Sequence, residues 1–390
     1  MTFLVVSNDV IPAFGVPVAA PGIRAAGLAE GLRAAGHDVE LTVPASIIEQ
    51  VWTGPTPPTP PPGVTIVDPI ELADFIAARR FSHVVFTNAN MAPHLQPAPG
   101  TTYIFDMFAP KILELLSSGR TDRDWEKDAA KKERAMALSD HVWVNGRRKL
   151  GYALGWLLRP SVERIRTEKM GKRRLITGDP MRHVSLVEMP VPLPDGVVVR
   201  APDHRASAPL RVGVAGYVQR WSALDDVSPA QHIPLELGHE VHVMTPTHWG
   251  GSGPETSTDS RFDHPNLTTH LGPLDYPSFA RWVQSMDVIA DAFEQSAERT
   301  MAMITRSAVA LRFGVPIIHG VDSEISDLIR EYDAGWVVPP TDHAAWKTAL
   351  TEASTPELLL TKQRGAGRLS EERFSPKAAL ADAAKRLPNR

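Results

Sequence analysis

The 390-residue chain contains no cysteine. That absence excludes disulfides, a thiol nucleophile and a cysteine-ligated zinc centre. No GxGxxG occurs, which counts against a dinucleotide-dependent dehydrogenase. Long apolar runs are missing too: nowhere do about 18 uncharged apolar residues follow one another, as a membrane-spanning helix requires. The opening MTFLVVSNDV has no basic segment before its short apolar run, so no secretory leader is expected and a soluble, cytoplasmic protein is. Basic excess is also lacking. The formal net charge is −4, and aromatic and basic residues are not interleaved, which argues against a nucleic-acid partner. No cluster of His or carboxylates has ligand spacing, so no metal is expected.

What remains is ordinary globular composition, 43% hydrophobic and 22% charged, over a length comfortable for two domains. FLVVS at 3–7 reads as a buried strand. A loop punctuated by proline and glycine leads into the helix IRAAGLAEGLRAAGH, and VELTV is the next strand, a βαβ opening. Gly15 in that loop either serves plain turn structure or lets backbone amides approach a ligand, since it carries no Cβ. PTPPTPPP at 55–62 is an extended surface segment. Alternation resumes with VTIVD, ELADFIAARR, SHVVFTNA and TTYIFDM, the last running into DMFAPKILELL. Asp106 therefore stands just beyond a strand end, at the edge where parallel sheets bind ligands, with His94 in the neighbouring loop.

RTDRDWEKDAAKKER at 120–134 is a solvated charged helix, and its literal DxD, Asp122 and Asp124, is read as surface. From Arg147 to Arg174 there are ten Lys or Arg against two Glu. The stretch 147–174 is open to peripheral contact with a membrane, or it is an ordinary basic face around the apolar helix LGYALGWLL.

Proline-rich segments at roughly 189–209 mark a linker. The second half opens with LRVGVAGYVQRW, a buried strand ending at Gly216 with Arg220 beyond it; such a guanidinium suits a diphosphate, or is simply a surface arginine. Leu274 and Tyr276 follow a later strand, where they either contact a ligand or pack. Residues 287–342 then read as strand, loop, helix, strand, loop, helix, strand, with a helix over 301–313. The carboxyl edge of that stretch gathers Glu294, Ser296, Glu298, Arg299, Thr300, Thr305 and Arg306, then Asp322 and Ser323. Cations and hydroxyls at helix N-termini suit an anion such as a diphosphate. Two helical segments are expected after Asp342.

TRSAVALRFGVPII, followed by DLIREYDAGWVVPPTD, resembles the donor-binding half of GT-B glycosyltransferases, in particular the family-4-like branch. The resemblance implies an α/β chain of two Rossmann-like, doubly wound parallel-sheet domains facing a cleft. Residues 1–195 would bind acceptor, 196–370 a nucleotide-sugar donor, and 371–390 would form a helix packing back toward the first domain. The implied activity is transfer of a hexose-type sugar from a nucleotide diphosphate to a glycan or natural product, retaining and metal-independent. By the same resemblance Asp106, Arg220 and Glu294 are catalytic candidates. Gly15, Gly216, Leu274, Tyr276, Glu298, Thr300, Thr305 and Arg306 are donor contacts, and His94 an acceptor contact. Asp106 with Pro110 and Glu114 matches the branch's pattern, in which the Asp accepts from a sugar hydroxyl; helix capping is the other role open to it.

One departure stands out. The branch's glutamate pair would fall at 301 and 309, and Met301 and Val309 stand there. That loss keeps two alternatives open: a pseudo-glycosyltransferase or nucleotide-sugar epimerase on the same fold, or a non-catalytic nucleotide-sugar-binding protein.

Overall fold

The computed structural model describes residues 1–117, 121–174, 178–202, 209–216, 229–244, 264–270 and 273–387. The chain divides into two compact units, one of residues 1–192 with 375–390 and one of 193–374. Each is built around one parallel sheet.

In the first unit the strands are β1 (Thr2–Val6), β2 (Asp38–Pro44), β3 (Val64–Val67), β4 (His83–Phe86), β5 (Thr102–Met107), β6 (His141–Val144) and β7 (Val184–Leu186). They lie in the order β3-β2-β1-β4-β5-β6-β7, and every neighbouring pair is parallel. The helices are α1 (Ala20–Ala34), α2 (Ala45–Val51), α3 (Leu72–Arg79), α4 (Lys111–Ser117), α5 (Asp122–Leu138), α6 (Lys149–Leu157) and α7 (Pro160–Arg164). A sheet covered on both faces needs strands that are apolar on both sides, which is why FLVV and HVVF are unbroken rather than alternating. Leu4, Val84, Phe105 and Val142 face one core, and Phe3, Val5, Val85, Ile104 and Trp143 the other. The order reverses between β1 and β4, and the carboxyl edge there is the crevice such sheets offer to ligands.

The second unit has β8 (Arg211–Ala215), β9 (Glu240–Met244), β10 (Leu267–Thr269), β11 (Val288–Asp291), β12 (Ile317–Gly320) and β13 (Gly335–Val338), in the parallel order β10-β9-β8-β11-β12-β13. Its helices are α8 (Pro229–Glu236), α9 (Tyr276–Gln284), α10 (Ala297–Met301), α11 (Thr305–Arg312), α12 (Glu324–Tyr332), α13 (His343–Ala353) and α14 (Pro356–Leu369). The order again reverses, between β8 and β11.

The single helix expected over 301–313 is two. α10 stops at Met301, Ala302 turns to extended backbone, and α11 starts afresh at Thr305. The end of the chain also holds one more helix than expected, because Pro356 at a first helical position starts α14 separately from α13. α15 (Pro376–Lys385) belongs to the first unit and packs on α1. The contact is so close that a Cβ on Gly31 would stand 2.3 Å from Leu380 Cδ1 and 2.4 Å from the Pro376 carbonyl oxygen. Glycine is the residue that fits there.

Asp122 and Asp124 lie in the first turn of α5, where Thr121 and Asp124 form a reciprocal capping box. Among the ten basic residues of 147–174, Lys149 and Arg166 are buried. Arg166 donates to the carbonyls of Ala137, Ser139 and Arg173, and with Lys172 it pairs with Asp140. These cations hold their own unit together. Among the described residues no helix is long and apolar enough to cross a membrane.

Candidate functional site

Two apolar strand runs of the second unit each end in a polar side chain. β11 ends at Asp291 and β12 carries His319, directly opposite in register, both fully buried. α11 and the N-cap of α12 supply their partners. Arg306 donates from Nε to Asp291 Oδ1 at 2.8 Å, with Nη2 also at 2.8 Å, and the Ser307 hydroxyl donates to Oδ2. His319 Nδ1 lies 3.5 Å from Asp291 Oδ2, and its Nε2 is 2.9 Å from the hydroxyl of Ser323, the N-cap of α12. A carboxylate and an imidazole thus tie the N-termini of two successive helices to the sheet's carboxyl edge.

The electrostatics follow from this geometry. Burial works to raise the Asp291 carboxyl, but Arg306, followed by His319, outweighs it and holds the group well below the usual carboxylate range. Burial also lowers the His319 imidazole, against the upward pull of Asp291. The ionised carboxylate in turn fixes the Arg306 guanidinium. Its Nη1 has no protein partner among the described residues. α11 begins there without a side-chain cap, so its first N–H groups add their partial positive charge to the guanidinium.

Gly216 at the end of β8 shapes the same place. Its φ of 101° is one that glycine adopts freely, and a Cβ would stand 2.9 Å from Arg306 Cδ. The absence of a side chain lets Arg306 lie against the strand end. A fixed cation, an uncapped helix terminus and a bare glycine together can hold a multiply charged anion such as a diphosphate.

The residues expected from the sequence fall into distinct groups. Gly216, Thr305 and Arg306 meet at this edge, with Glu294 exposed in the loop after β11. Thr300 is partly buried in α10, its hydroxyl donating to the Ser296 carbonyl. Leu274 is partly exposed, while Arg220 lies outside the described residues. Glu298 is 2% exposed and bound to the neighbouring Arg299, so it packs inside rather than facing a ligand. Tyr276, for which ligand contact and packing are both open from the sequence, is buried. It is 1% exposed, its ring packed 6.2 Å from that of Phe313.

Asp106, open from the sequence to a sugar contact or to helix capping, is paired inside its own unit. Both of its oxygens are taken by Arg24 of α1, at 2.9 Å from Nε and 2.6 Å from Nη2, in a pair wholly shielded from solvent. Nη2 also donates to the Val187 carbonyl at 3.1 Å. The carboxylate expected to meet a sugar hydroxyl instead joins α1 to β5. Gly15 closes the turn Pro12–Phe14 at φ 66°, with open space where a Cβ would be, and His94 is half-buried in the turn Ala89–His94. Asp291, Ser307 and His319 were not singled out from the sequence. The available signal was a polar residue closing each of two consecutive apolar runs, VIAD and IIHG.

Among the described residues no group of three His, Asp or Glu is placed to hold a metal ion. No family sequence model and no curated protein sequence matches the chain. Solved structures do match it. Sucrose-phosphate synthase from Thermosynechococcus elongatus is 13% identical, covering 99% of this chain and 98% of its own at a TM-score of 0.63. The catalytic domain of starch synthase IV from Arabidopsis thaliana is 11% identical, covering 99% and 98% at 0.63. HepE from Anabaena is 11% identical, covering 99% and 100% at 0.57. With two parallel sheets that each reverse their strand order and a likeness spanning nearly the whole chain, the protein has the GT-B fold of these glycosyltransferases.

Proposed function

We propose that the protein is a glycosyltransferase that moves a sugar from a nucleotide-diphosphate donor to an acceptor hydroxyl, with the donor held by the 193–374 unit. The observation that carries this reading is the Arg306 guanidinium, fixed by Asp291 at the uncapped start of α11 and beside Gly216. The comparisons support a nucleotide-sugar donor: HepE holds UDP-glucose, and starch synthase IV holds ADP and acarbose.

In the proposed step the acceptor oxygen forms a bond to the anomeric carbon while the bond from that carbon to the diphosphate oxygen breaks. The bonding electrons stay with the diphosphate, which takes up the acceptor's proton. Charge grows on the leaving group, and Arg306 with the first amides of α11 is placed to stabilise it without reorganising. Arg220 is a second cation for that charge, and Glu294 a contact to the sugar. Retention of anomeric configuration and independence from a metal belong to the same proposal, as does a glycan or natural-product acceptor.

The test is a thermal-shift and donor-hydrolysis screen with UDP-, dTDP-, GDP- and ADP-sugars, with and without EDTA. One nucleotide family is expected to stabilise the protein, with slow hydrolysis that EDTA leaves unchanged and Arg306→Ala removes. If no nucleotide moves the melting curve, the reading is overturned.

A further inference from the structure

The second unit holds a cavity apart from the donor edge. Its volume is about 700 Å³, within the range of small-ligand pockets, and neither Gly216, Asp291, Arg306 nor His319 lines it. All four residues of β13 do, together with parts of α12, α13 and α14. β13 is the last strand of its sheet and pairs with β12 alone, so the N–H and C=O groups on its other side lack strand partners. Among the described residues no backbone group from outside the sheet bonds to them. Pro339 and Pro340 follow at once and supply no N–H, so this open edge is too short to take up another strand.

The polar groups around the cavity carry both signs and are held in place. The Trp336 indole donates to Glu352 Oε2 at 2.8 Å, which orients that carboxylate and leaves Oε1 without a partner among the described residues. Lys362 of α14 pairs with Asp333, and its ammonium lies 5.5 Å from the centre of the Trp336 ring. Asp342 caps α13 through Oδ1, which accepts from the Ala345 N–H at 3.0 Å. Two cations, Lys362 and Arg330, thus share the cavity with three carboxylates. An anion bound here meets the carboxylates, and a cation meets Lys362 and Arg330. A neutral ligand rich in hydroxyls suits both signs, since each hydroxyl donates to a carboxylate oxygen and accepts from an ammonium, a guanidinium or a backbone N–H. Val337 and Ala349 add apolar surface for the C–H face of a sugar ring.

We propose that this cavity is a binding site for a neutral oligosaccharide, held by Glu352, Asp342, Lys362 and the open edge of β13. It is separate from the anion site at Arg306 and takes no part in bond making. On the glycosyltransferase reading above, the bound sugar belongs to a glycan acceptor or product that the site anchors. That last step rests on the reading; oligosaccharide binding itself does not.

The experiment uses the full chain. Calorimetric affinity and stoichiometry are measured with maltotriose, cellotriose and chitotriose, with glucose 6-phosphate as an anionic comparison and a capped, alternating threonine–valine hexapeptide as a strand-addition comparison. Wild type is expected to bind at least one of the three trisaccharides. Thr348 lines the cavity from the exposed face of α13, so Thr348→Trp fills the space without touching the core. It is expected to melt with wild type, to lose the oligosaccharide and to keep whatever shift a nucleotide produces. Glu352→Gln retains an acceptor for the Trp336 indole and removes the charge; it is expected to weaken binding by about tenfold or more, and it decides the matter should Thr348→Trp fail to fold. Three results overturn the proposal: no trisaccharide bound by wild type, equal affinity and stoichiometry in wild type and folded variants, or tighter binding of glucose 6-phosphate or the peptide than of every trisaccharide. A failed nucleotide arm sinks the donor reading alone, and a failed oligosaccharide arm this site alone.

Discussion

The imidazole of His319 and the carboxylate of Asp291 face each other across neighbouring strands, 3.5 Å apart, and both are buried. The pair joins the N-termini of α11 and α12 through Ser307 and Ser323. It also sets how the second unit responds to acid. The folded-state pKa of His319 is lowered, chiefly by burial, so the native ring resists a proton that the unfolded chain accepts near about 6.5. Stability is therefore complete above that pH and falls as pH drops below it. His37, His141, His239, His242 and His270 are lowered by burial as well and add to the slope. Urea unfolding between pH 5.5 and 7.5 is expected to show His319→Asn with a shallower pH dependence than wild type, by up to about 1.4 kcal/mol per pH unit. Identical slopes would remove His319 from the account.

Arg306 has two roles that a double variant separates. Arg306→Ala leaves the Asp291 carboxylate buried without its main counter-charge, a loss on the order of 3–5 kcal/mol. Turnover of the donor is expected to fall by about 10²–10³, the usual effect of removing one donor to developing charge. Asp291→Asn in the same chain removes the stranded charge and should recover much of the stability with none of the turnover. Recovered hydrolysis in the double variant would show that Arg306 matters only for folding.

Gly216→Ala tests the fit between strand end and guanidinium. The substitution forces alanine to φ 101° and puts a methyl 2.9 Å from Arg306 Cδ. Backbone strain of this kind costs about 1–3 kcal/mol, and Arg306 must shift to admit the methyl. Nucleotide-sugar affinity by calorimetry is expected to weaken tenfold or more, beyond what the lower melting temperature explains. Unchanged affinity would place the donor away from β8.

The two-domain α/β order is legible in the chain because apolar strands and amphipathic helices have different periods and are separated by glycine and proline. The site is legible only where local sequence decides it. Thr305 and Arg306 stand at a helix start whose position follows from strand–helix alternation, and so they could be named. Asp291 and His319 could not, since what makes them a pair is the pairing of β11 with β12. Asp106 shows the opposite failure. Its place after a strand is visible, but the residue that consumes it, Arg24, is 82 positions away on the packed face of α1. Tyr276 follows the same logic, since nothing near it in sequence tells that Phe313 covers its ring.

That long-range pair gives the last prediction. With Arg24 and Asp106 both shielded from water, removing one partner strands a buried charge, so Asp106→Asn and Arg24→Met should each destabilise the first unit by about 3–5 kcal/mol. Arg24 already has one nitrogen, Nη1, without an acceptor, so little nearby can replace the carboxylate. Arg24→Met with Asp106→Leu removes both charges and should regain most of the loss, as apolar replacements of buried pairs do. A catalytic Asp106 predicts something else, a fall in kcat with the melting temperature held. Measured at a temperature where all variants are folded, kcat is expected to match wild type in Asp106→Asn and in the double variant alike. A hundredfold loss of kcat in a fully folded Asp106→Asn would return the carboxylate to the reaction, and would require Arg24 to release it when acceptor binds.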